Sequence, residues 1–288
     1  MTPAPVSPII LSPDLTATEA LDVIVRAAGE HVSQHVGRLR TERDPESLHQ
    51  VRIGARRARV AISLLRRPLG DGEKLAWVSA EIRDLGVPLG RARDLDVAVR
   101  DHATDLTGPS RERLLHRQSG AWDEVLEVIG SDRWSDLRTH VDMLLRHLHE
   151  EVPLDPPVLD AAGAALERRY RRVLKGGAHL DRGSRAERHA VRKEAKKLRY
   201  GVQFFSGLYA VLPESAHEPR SAPSEFERRA TELQDALGDL GDLETSHHLL
   251  ELVGAHQPQP DKKPHLKRAT AAVRHLEALE PFWRDRGR

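Results

Sequence analysis

Two stretches of the sequence, 140 residues apart, each carry a histidine followed by cations at matching spacings. At about 100° per residue, the histidine and the third, seventh and tenth residues after it share one face of a helix. Apolar residues occupy the opposite face in both copies, which predicts that each helix packs in a bundle core. The candidate binding residues are His49, Arg52, Arg56, Arg57 and Arg59 in the first copy and His189, Arg192, Lys193, Lys196, Lys197 and Arg199 in the second.

The chemistry that suits these basic stripes is phosphate recognition. Arginine offers paired donors that match phosphate oxygens, and lysine adds compact point charges. A histidine donates from both ring nitrogens when a nearby phosphate raises its proton affinity. Successive cations lie about 5–6 Å apart, one helical turn, which suits an extended polymer with a charge on every unit. Arg57, Lys193 and Lys197 point away from the centre line, so they would lie at the rim of a channel if both stripes lined one.

The lack of an acidic partner within the first stripe has two explanations. Residues 49–67 contain six arginines and no acid, whereas residues 212–251 contain ten acids and three arginines. Carboxylates from neighbouring helices could therefore neutralise the stripe, or a polyanion could. The second copy repeats the same residue types at the same angles, and a solvated helix face has no need of such repetition. The repeat therefore favours a polyanion.

Other chemistries find weaker support. His31 and His35 are four residues apart, a spacing that suits two metal ligands on one helix, but surface or capping histidines explain the pair more simply. Asp94 and Asp96, matched by Asp242 and Glu244 in the second half, are candidates for acid–base work, although ion pairs or caps are the commoner role. Phosphate-binding glycine loops and nucleophile elbows are absent, so we expect a non-catalytic binding module without a metal or cofactor.

Composition sets the outer limits. The chain has 288 residues with 45 basic and 44 acidic side chains, a balance that would argue against a polyanion partner if charge position did not matter. Zero cysteine excludes disulfide scaffolds, thiol nucleophiles and cysteine-based metal sites. No run of apolar residues is long enough for a transmembrane helix, and the proline-rich start does not resemble a signal peptide. A cytoplasmic location is the resulting expectation.

The elements that position the stripes are all helical. Capping boxes open helices at Thr16, Ser184 and Ser224, and Asp44-Pro45 is a cap followed by a proline at the first helical position. We expect an all-α protein with an irregular tail over 1–15, a first bundle over 16–152 and a second over 153–288. The helices are predicted over about 16–40, 45–67, 73–106, 110–129, 132–150, 157–175, 184–207, 224–238, 241–254 and 265–280.

The doubled motif resembles the conserved histidine α-helical domain, or CHAD, family. The resemblance rests on the two basic motifs, including Tyr200 after the second, and on the motifs that follow them, Gly90-x-x-Arg93-Asp94-Leu95-Asp96-Val97 and residues 233–242. It covers about 16–285. One departure is Gly241, where family members often carry a polar residue such as Asn before the aspartate.

Membership of that family implies two four-helix bundles related by a pseudo-two-fold axis, with a basic central channel that binds inorganic polyphosphate. It also implies association with polyphosphate granules. The catalytic triphosphatase module that accompanies some members lacks its signature in this sequence. The alternatives are a nucleic-acid-binding protein, which the eleven aromatic residues support poorly, and a metal-dependent phosphohydrolase with His and carboxylate ligands.

Overall fold

The computed structural model describes residues 9–70, 72–151, 154–211, 221–255 and 258–284, and all of its regular structure is helical. The predicted all-α class is therefore confirmed. In the described residues of the first part of the chain, the helices are α1 (Ala17–Leu39), α2 (Pro45–Leu69), α3 (Gly72–His102), α4 (Gly108–Gly130) and α5 (Asp132–Glu151). The remainder of the described chain contributes α6 (Val158–Gly177), α7 (Arg185–Ala210), α8 (Pro223–Leu252) and α9 (Lys263–Glu277).

Two of the three predicted capping boxes are confirmed. The side chain of Thr16 accepts a hydrogen bond from Glu19, whose carboxylate accepts one from the Thr16 N–H, and Ser184 and Glu187 repeat the arrangement. The third prediction, at Ser224, is wrong, because α8 already begins at Pro223 and has no side-chain cap. A proline at the first helical position needs no capping partner for the N–H that it lacks.

The basic helix α2 runs past Pro68, where we expected it to stop. A proline inside a helix leaves the carbonyl four residues earlier without its donor, and here that carbonyl belongs to Leu64. The guanidinium of Arg168, on α6, donates to this oxygen over 3.1 Å. The helix then ends at Gly70, which adopts the left-handed conformation with φ of 75°. A contact from a distant helix thus replaces the bond that the proline removes.

The helix α8 is also longer than predicted, because it continues through Gly238 and Gly241 where we expected a break. Each glycine costs a helix interior about 1 kcal/mol relative to alanine, which packing against neighbours can offset. Gly241 faces the guanidinium of Arg192, and a Cβ added there would lie 3.1 Å from its Cζ. The glycine therefore permits α7 and α8 to approach closely.

The helices contact one another in two rings. In the first ring α1, α2, α3 and α5 are consecutive neighbours, with α4 packed against α3 and α5, and in the second α6, α7, α8 and α9 are neighbours. The larger apolar core takes residues from every helix except α4 and so crosses between the rings. A smaller core joins α4 to parts of α1, α2 and α3 and to Leu250 and Val253 near the end of α8. The division into two bundles stays a prediction.

The segments that precede α1 and α6 tie the rings together at one end. The Ala17 N–H donates to the carbonyl of Pro156, and the Val158 N–H donates to the carbonyl of Leu15, each over 2.9 Å. The carboxylate of Asp155 accepts from the Thr18 N–H over 3.1 Å. These contacts satisfy donors at the start of both helices. Within the described residues, no helix combines the length and the apolar character needed to cross a bilayer.

Candidate functional site

The two basic helices lie against each other. Gly201 of α7 is the point of close approach, because a Cβ there would lie 3.2 Å from Leu64 of α2 and 3.0 Å from Leu166 of α6. The guanidinium carbon of Arg57, on α2, lies 5.4 Å from the centre of the Phe204 ring on α7. The predicted stripes are therefore brought together by direct helix contact.

Four cations meet beside this contact, and we refer to Arg52, Arg56, Arg192 and Lys196 as the basic cluster. Burial, together with the neighbouring charges of Arg56 and Arg192, lowers the pKa of Lys196 to about 7. Cations from both helices therefore lie within electrostatic range of this amine. The cluster thus combines residues that are 140 positions apart in the sequence.

The two arginines nearest the helix starts hold equivalent positions with different partners. Arg52 donates from Nη1 to the carbonyl oxygens of Leu89 and Gly90 on α3, over 2.8 Å and 2.6 Å. Burial lowers its pKa to about 10, while the charge of Asp94 opposes that shift. Arg192 instead donates to the carboxylate of Asp242 on α8, over 3.0 Å. Each arginine therefore also anchors its helix to the next one.

The four carboxylates that we considered for acid–base work separate into two roles. Asp94 and Asp242 face the basic cluster. Desolvation by the surrounding protein and the charge of Asp242 raise the pKa of Asp94. Part of the Asp94 side chain is nevertheless exposed to solvent. Asp96 is buried and accepts hydrogen bonds from Gln118 and from the indole N–H of Trp122, on α4. Glu244 forms ion pairs with three cations outside the basic cluster, which are Arg185, Arg188 and Lys262.

Arg56 and Lys196 stand apart because they make no hydrogen bond or ion pair with any described residue. In the acidic stretch 212–251, Asp242 is the one described carboxylate that pairs with a predicted stripe residue. Glu225, Asp239 and Glu244 pair with cations elsewhere. The acidic stretch therefore pairs directly with Arg192 and leaves Arg56 and Lys196 without an ion pair, although Asp242 lies within electrostatic range of Lys196.

The remaining predicted site residues lie around the basic cluster. Arg57, expected at a channel rim, is only 8% exposed and packs on Phe204. Lys197 donates to Glu194 over 2.9 Å, and Lys193 is exposed to solvent. Arg199 bonds Gln234 and lies over the ring of Tyr200, 4.6 Å from its centre.

Arg59 and the two histidines complete the predicted set. Arg59 lies near Arg83, and its Nε is buried without a hydrogen bond to the described residues. Burial lowers the pKa of His49, and the charge of Arg93 adds to that shift. His189 is exposed, and its pKa is lowered by partial burial and by Lys193. Neighbouring cations therefore disfavour protonation of both imidazole rings.

The alternative metal site does not assemble around the histidine pair. His31 is buried and its Nε2 lies 3.0 Å from the side-chain oxygen of Gln50, while the ring of His35 lies tilted against it, 4.8 Å away between ring centres. Within the described ranges, no group of three or more potential metal ligands comes together.

The sequence profile of the CHAD domain matches residues 23–251. The chain belongs to the CHAD domain family. The matched region contains both basic stripes and the carboxylates that face them, so the basic cluster lies inside the CHAD domain. The resemblance seen in the doubled motif is thereby confirmed.

Known proteins support the fold of this CHAD domain. The crystal structure of the CHAD domain from the plant Ricinus communis superimposes with a TM-score of 0.72 and 24% identity, covering 96% of this chain and 92% of that one. PptA from Streptomyces chartreusis gives a TM-score of 0.50 at 19% identity, with 92% and 96% covered. At these identities the comparison shows the fold alone.

Two proteins of Mycobacterium tuberculosis are similar in sequence. MT2285 of strain CDC 1551 and Rv2226 of strain H37Rv, both named as uncharacterized proteins, are each 29% identical over 208 residues. The similarity covers 62% of this chain, and the chain spans only 38% of the length of either relative.

Helical periodicity of the two basic motifs does not reveal several other cations near the CHAD domain's basic helices. Arg169 of α6 is buried and donates to Glu194 of α7 and to the Ser63 carbonyl of α2. Its neighbours Arg168 and Arg172 lie close to it. The available signal was the dense run of arginines over residues 168–172, within the helix predicted over about 157–175.

Proposed function

We propose that this CHAD domain binds inorganic polyphosphate at the basic cluster, as a non-catalytic module. The observation that carries the proposal is the pair Arg56 and Lys196, two cations from different helices that lie within electrostatic range of each other and form no ion pair with the described residues. Like charges held together in a partly buried site cost free energy unless a ligand compensates them. The CHAD family is associated with polyphosphate binding.

Unused hydrogen-bond donors support an anion with several acceptor oxygens. The Nε atoms of Arg59 and Arg192 are buried and have no acceptor in the described structure. A buried donor without a partner costs about 1–3 kcal/mol, and a phosphate oxygen would remove that cost if the side chain turned to expose its Nε to the ligand. Bound phosphates would also compete with Asp242 for Arg192. Many such contacts along one polymer would sum to an avidity that falls as salt rises. Association with polyphosphate granules belongs to the same proposal.

Titration separates polyphosphate from nucleic acid as the ligand. We expect the protein to bind long-chain polyphosphate at least about tenfold more tightly than single-stranded RNA of similar charge at about 150 mM salt. Stacking on aromatic side chains adds about 1–3 kcal/mol per base to the binding of single-stranded RNA, and none of the four residues of the basic cluster is aromatic. Calorimetry with both polymers provides the comparison. Tighter RNA binding would overturn the proposal in favour of a nucleic-acid function.

The pKa of Lys196 predicts how the affinity depends on pH. The pKa of the Lys196 amine is lowered to about 7 in the protein alone. Bound phosphate would raise this pKa, so binding takes up a proton. Affinity is then fully present below pH 7 and is lost as pH rises above it. We expect about a tenfold weaker association at pH 8 than at pH 6 for long chains.

The matched control for this pH dependence is Lys196→Arg. Arginine stays protonated throughout the range, so the variant should lose most of the dependence while keeping its affinity at pH 6. His49 and His189 remain in both proteins. An equally steep loss in Lys196→Arg would show that the proton is taken up elsewhere.

A further inference from the structure

A concave site lies on the side of α2 away from the basic cluster. A cavity of about 650 Å³ opens between α1, α3 and α5, and its floor is formed by Gly54, Ala55 and Ala58 of α2. At about 100° per residue, Gly54 and Ala58 lie roughly opposite Arg52 and Arg56 around the helix. The cavity is therefore separate from the basic cluster. Its volume falls in the range of about 300–1,000 Å³ that small-molecule sites occupy.

The cavity exists because small residues stand where a core would be filled. Gly29 of α1 and Gly86 of α3 both line it, and a Cβ added at either position would meet no atom within 4 Å. The core between α6, α7, α8 and α9 is filled instead by large side chains. There Phe226 lies between Tyr170, at 5.8 Å, and Trp283, at 4.6 Å between ring centres.

The lining combines an apolar interior with a charged mouth. Val32, Leu85, Leu137 and Trp134 contribute apolar surface, and the cavity lies where the larger and smaller cores separate. Such a surface gains free energy when an apolar molecule displaces water from it.

Charged side chains at the mouth of the cavity indicate which polar group a bound molecule would carry. Arg26 pairs with Asp142 over 3.3 Å, and Arg40 reaches the Ile129 carbonyl over 3.4 Å. Arg138 also lines the cavity, but makes no hydrogen bond or ion pair with the described residues. Glu30, on α1, is likewise without such a contact. The arginines outnumber the carboxylates here, and Arg138 is the cation available to an acidic group.

We propose that this cavity binds an amphiphilic small molecule with a long apolar chain and a carboxylate headgroup. The chain lies over the α2 floor beside Gly29 and Gly86, and the carboxylate pairs with Arg138. Arginine matches a carboxylate with two parallel hydrogen bonds. Recessed walls from three helices favour a single chain over a second copy of the protein. The site is independent of polyphosphate binding.

The probe for this site is cis-parinaric acid, a fluorescent long-chain carboxylic acid. We expect saturable binding to the parent protein and at least a tenfold loss in Gly86→Leu, whose side chain enters the cavity. Gly37→Leu and Gly120→Leu are matched controls, because a Cβ there also meets no atom and neither residue lines the cavity. An unchanged circular-dichroism spectrum and melting curve show that each variant is folded. Binding by Gly86→Leu as tight as that of the controls would overturn the proposal.

Two further variants and a displacement measurement test the same site. Gly29→Leu provides a second filling variant if Gly86→Leu does not fold. Arg138→Gln should weaken the acid several-fold and leave the alcohol of the same chain unaffected. Displacement of the probe by polyphosphate would place it in the basic cluster, and would therefore also overturn the cavity proposal.

Discussion

Replacing Arg56 and Lys196 together by glutamine is expected to weaken the binding of long-chain polyphosphate by at least about 100-fold. A hydrogen bond to a charged group contributes about 1.5–3 kcal/mol, so losing two such contacts gives a loss of that order. Neither side chain makes a hydrogen bond or ion pair with the described residues, so the loss reports on the ligand. Arg52 is a poorer choice, because it also bonds two carbonyls of α3.

Calorimetry at several salt concentrations measures this effect. The slope of log affinity against log salt should become shallower by one to two, because each phosphate contact releases about 0.7–0.9 counterions. Arg146→Gln with Arg274→Gln removes the same charge from α5 and α9, at exposed positions that make no hydrogen bond or ion pair with the described residues. Affinity within threefold of the parent in the Arg56/Lys196 variant would remove the basic cluster from the proposed function.

The second large effect is on stability, and it concerns Arg169. Replacing Arg169 by alanine is expected to lower the free energy of unfolding by about 3 kcal/mol or more, the typical cost of breaking a buried ion pair on one side. Its side chain is only 5% exposed and bonds Glu194, 2.9 Å away, together with the Ser63 carbonyl. The change leaves both groups short of a donor. Urea denaturation followed by circular dichroism provides the measurement.

Arg172→Ala is the matched control for this prediction. Arg172 lies 3.7 Å from the same carboxylate, but its side chain is 56% exposed. Exposed ion pairs contribute about 0–1 kcal/mol, so this variant should unfold close to the parent. Equal destabilisation by the two variants would mean that loss of charge near Glu194, and not the buried connection, determines stability here.

The parts of the fold that depend on neighbouring residues could be predicted from the sequence. Caps at Thr16, Asp44 and Ser184 need only a side chain two or three residues from the donor, so local spacing reveals them. The continuity of α2 through Pro68 depends on Arg168, a hundred positions away. Gly241, inside the unbroken α8, lies where Arg192 of α7 approaches closely. No local pattern contains such long-range contacts.

The same distinction applies to the candidate site. Helical periodicity placed Arg52, Arg56, Arg192 and Lys196 on matching faces, and the structure brings the four together. Periodicity could not show which other cations already have partners within the protein. Arg57 is buried on Phe204 because α7 packs there, and periodicity sees only one helix at a time. Their roles in binding polyphosphate stay predictions.

The end of α8 is embedded beside α4, where Leu250 and Val253 join the smaller core. This second attachment, far along the chain from the α2–α7 contact, leaves little freedom for the two rings to rotate apart. A ligand must then adapt its own backbone to cations held at fixed positions. A single-stranded phosphate polymer with freely rotating bonds can do so. Duplex DNA, whose persistence length is about 50 nm, holds its phosphates on a stiff helix and cannot adjust them in the same way. Polymer stiffness, as well as charge, would therefore decide which polyanions this protein accepts.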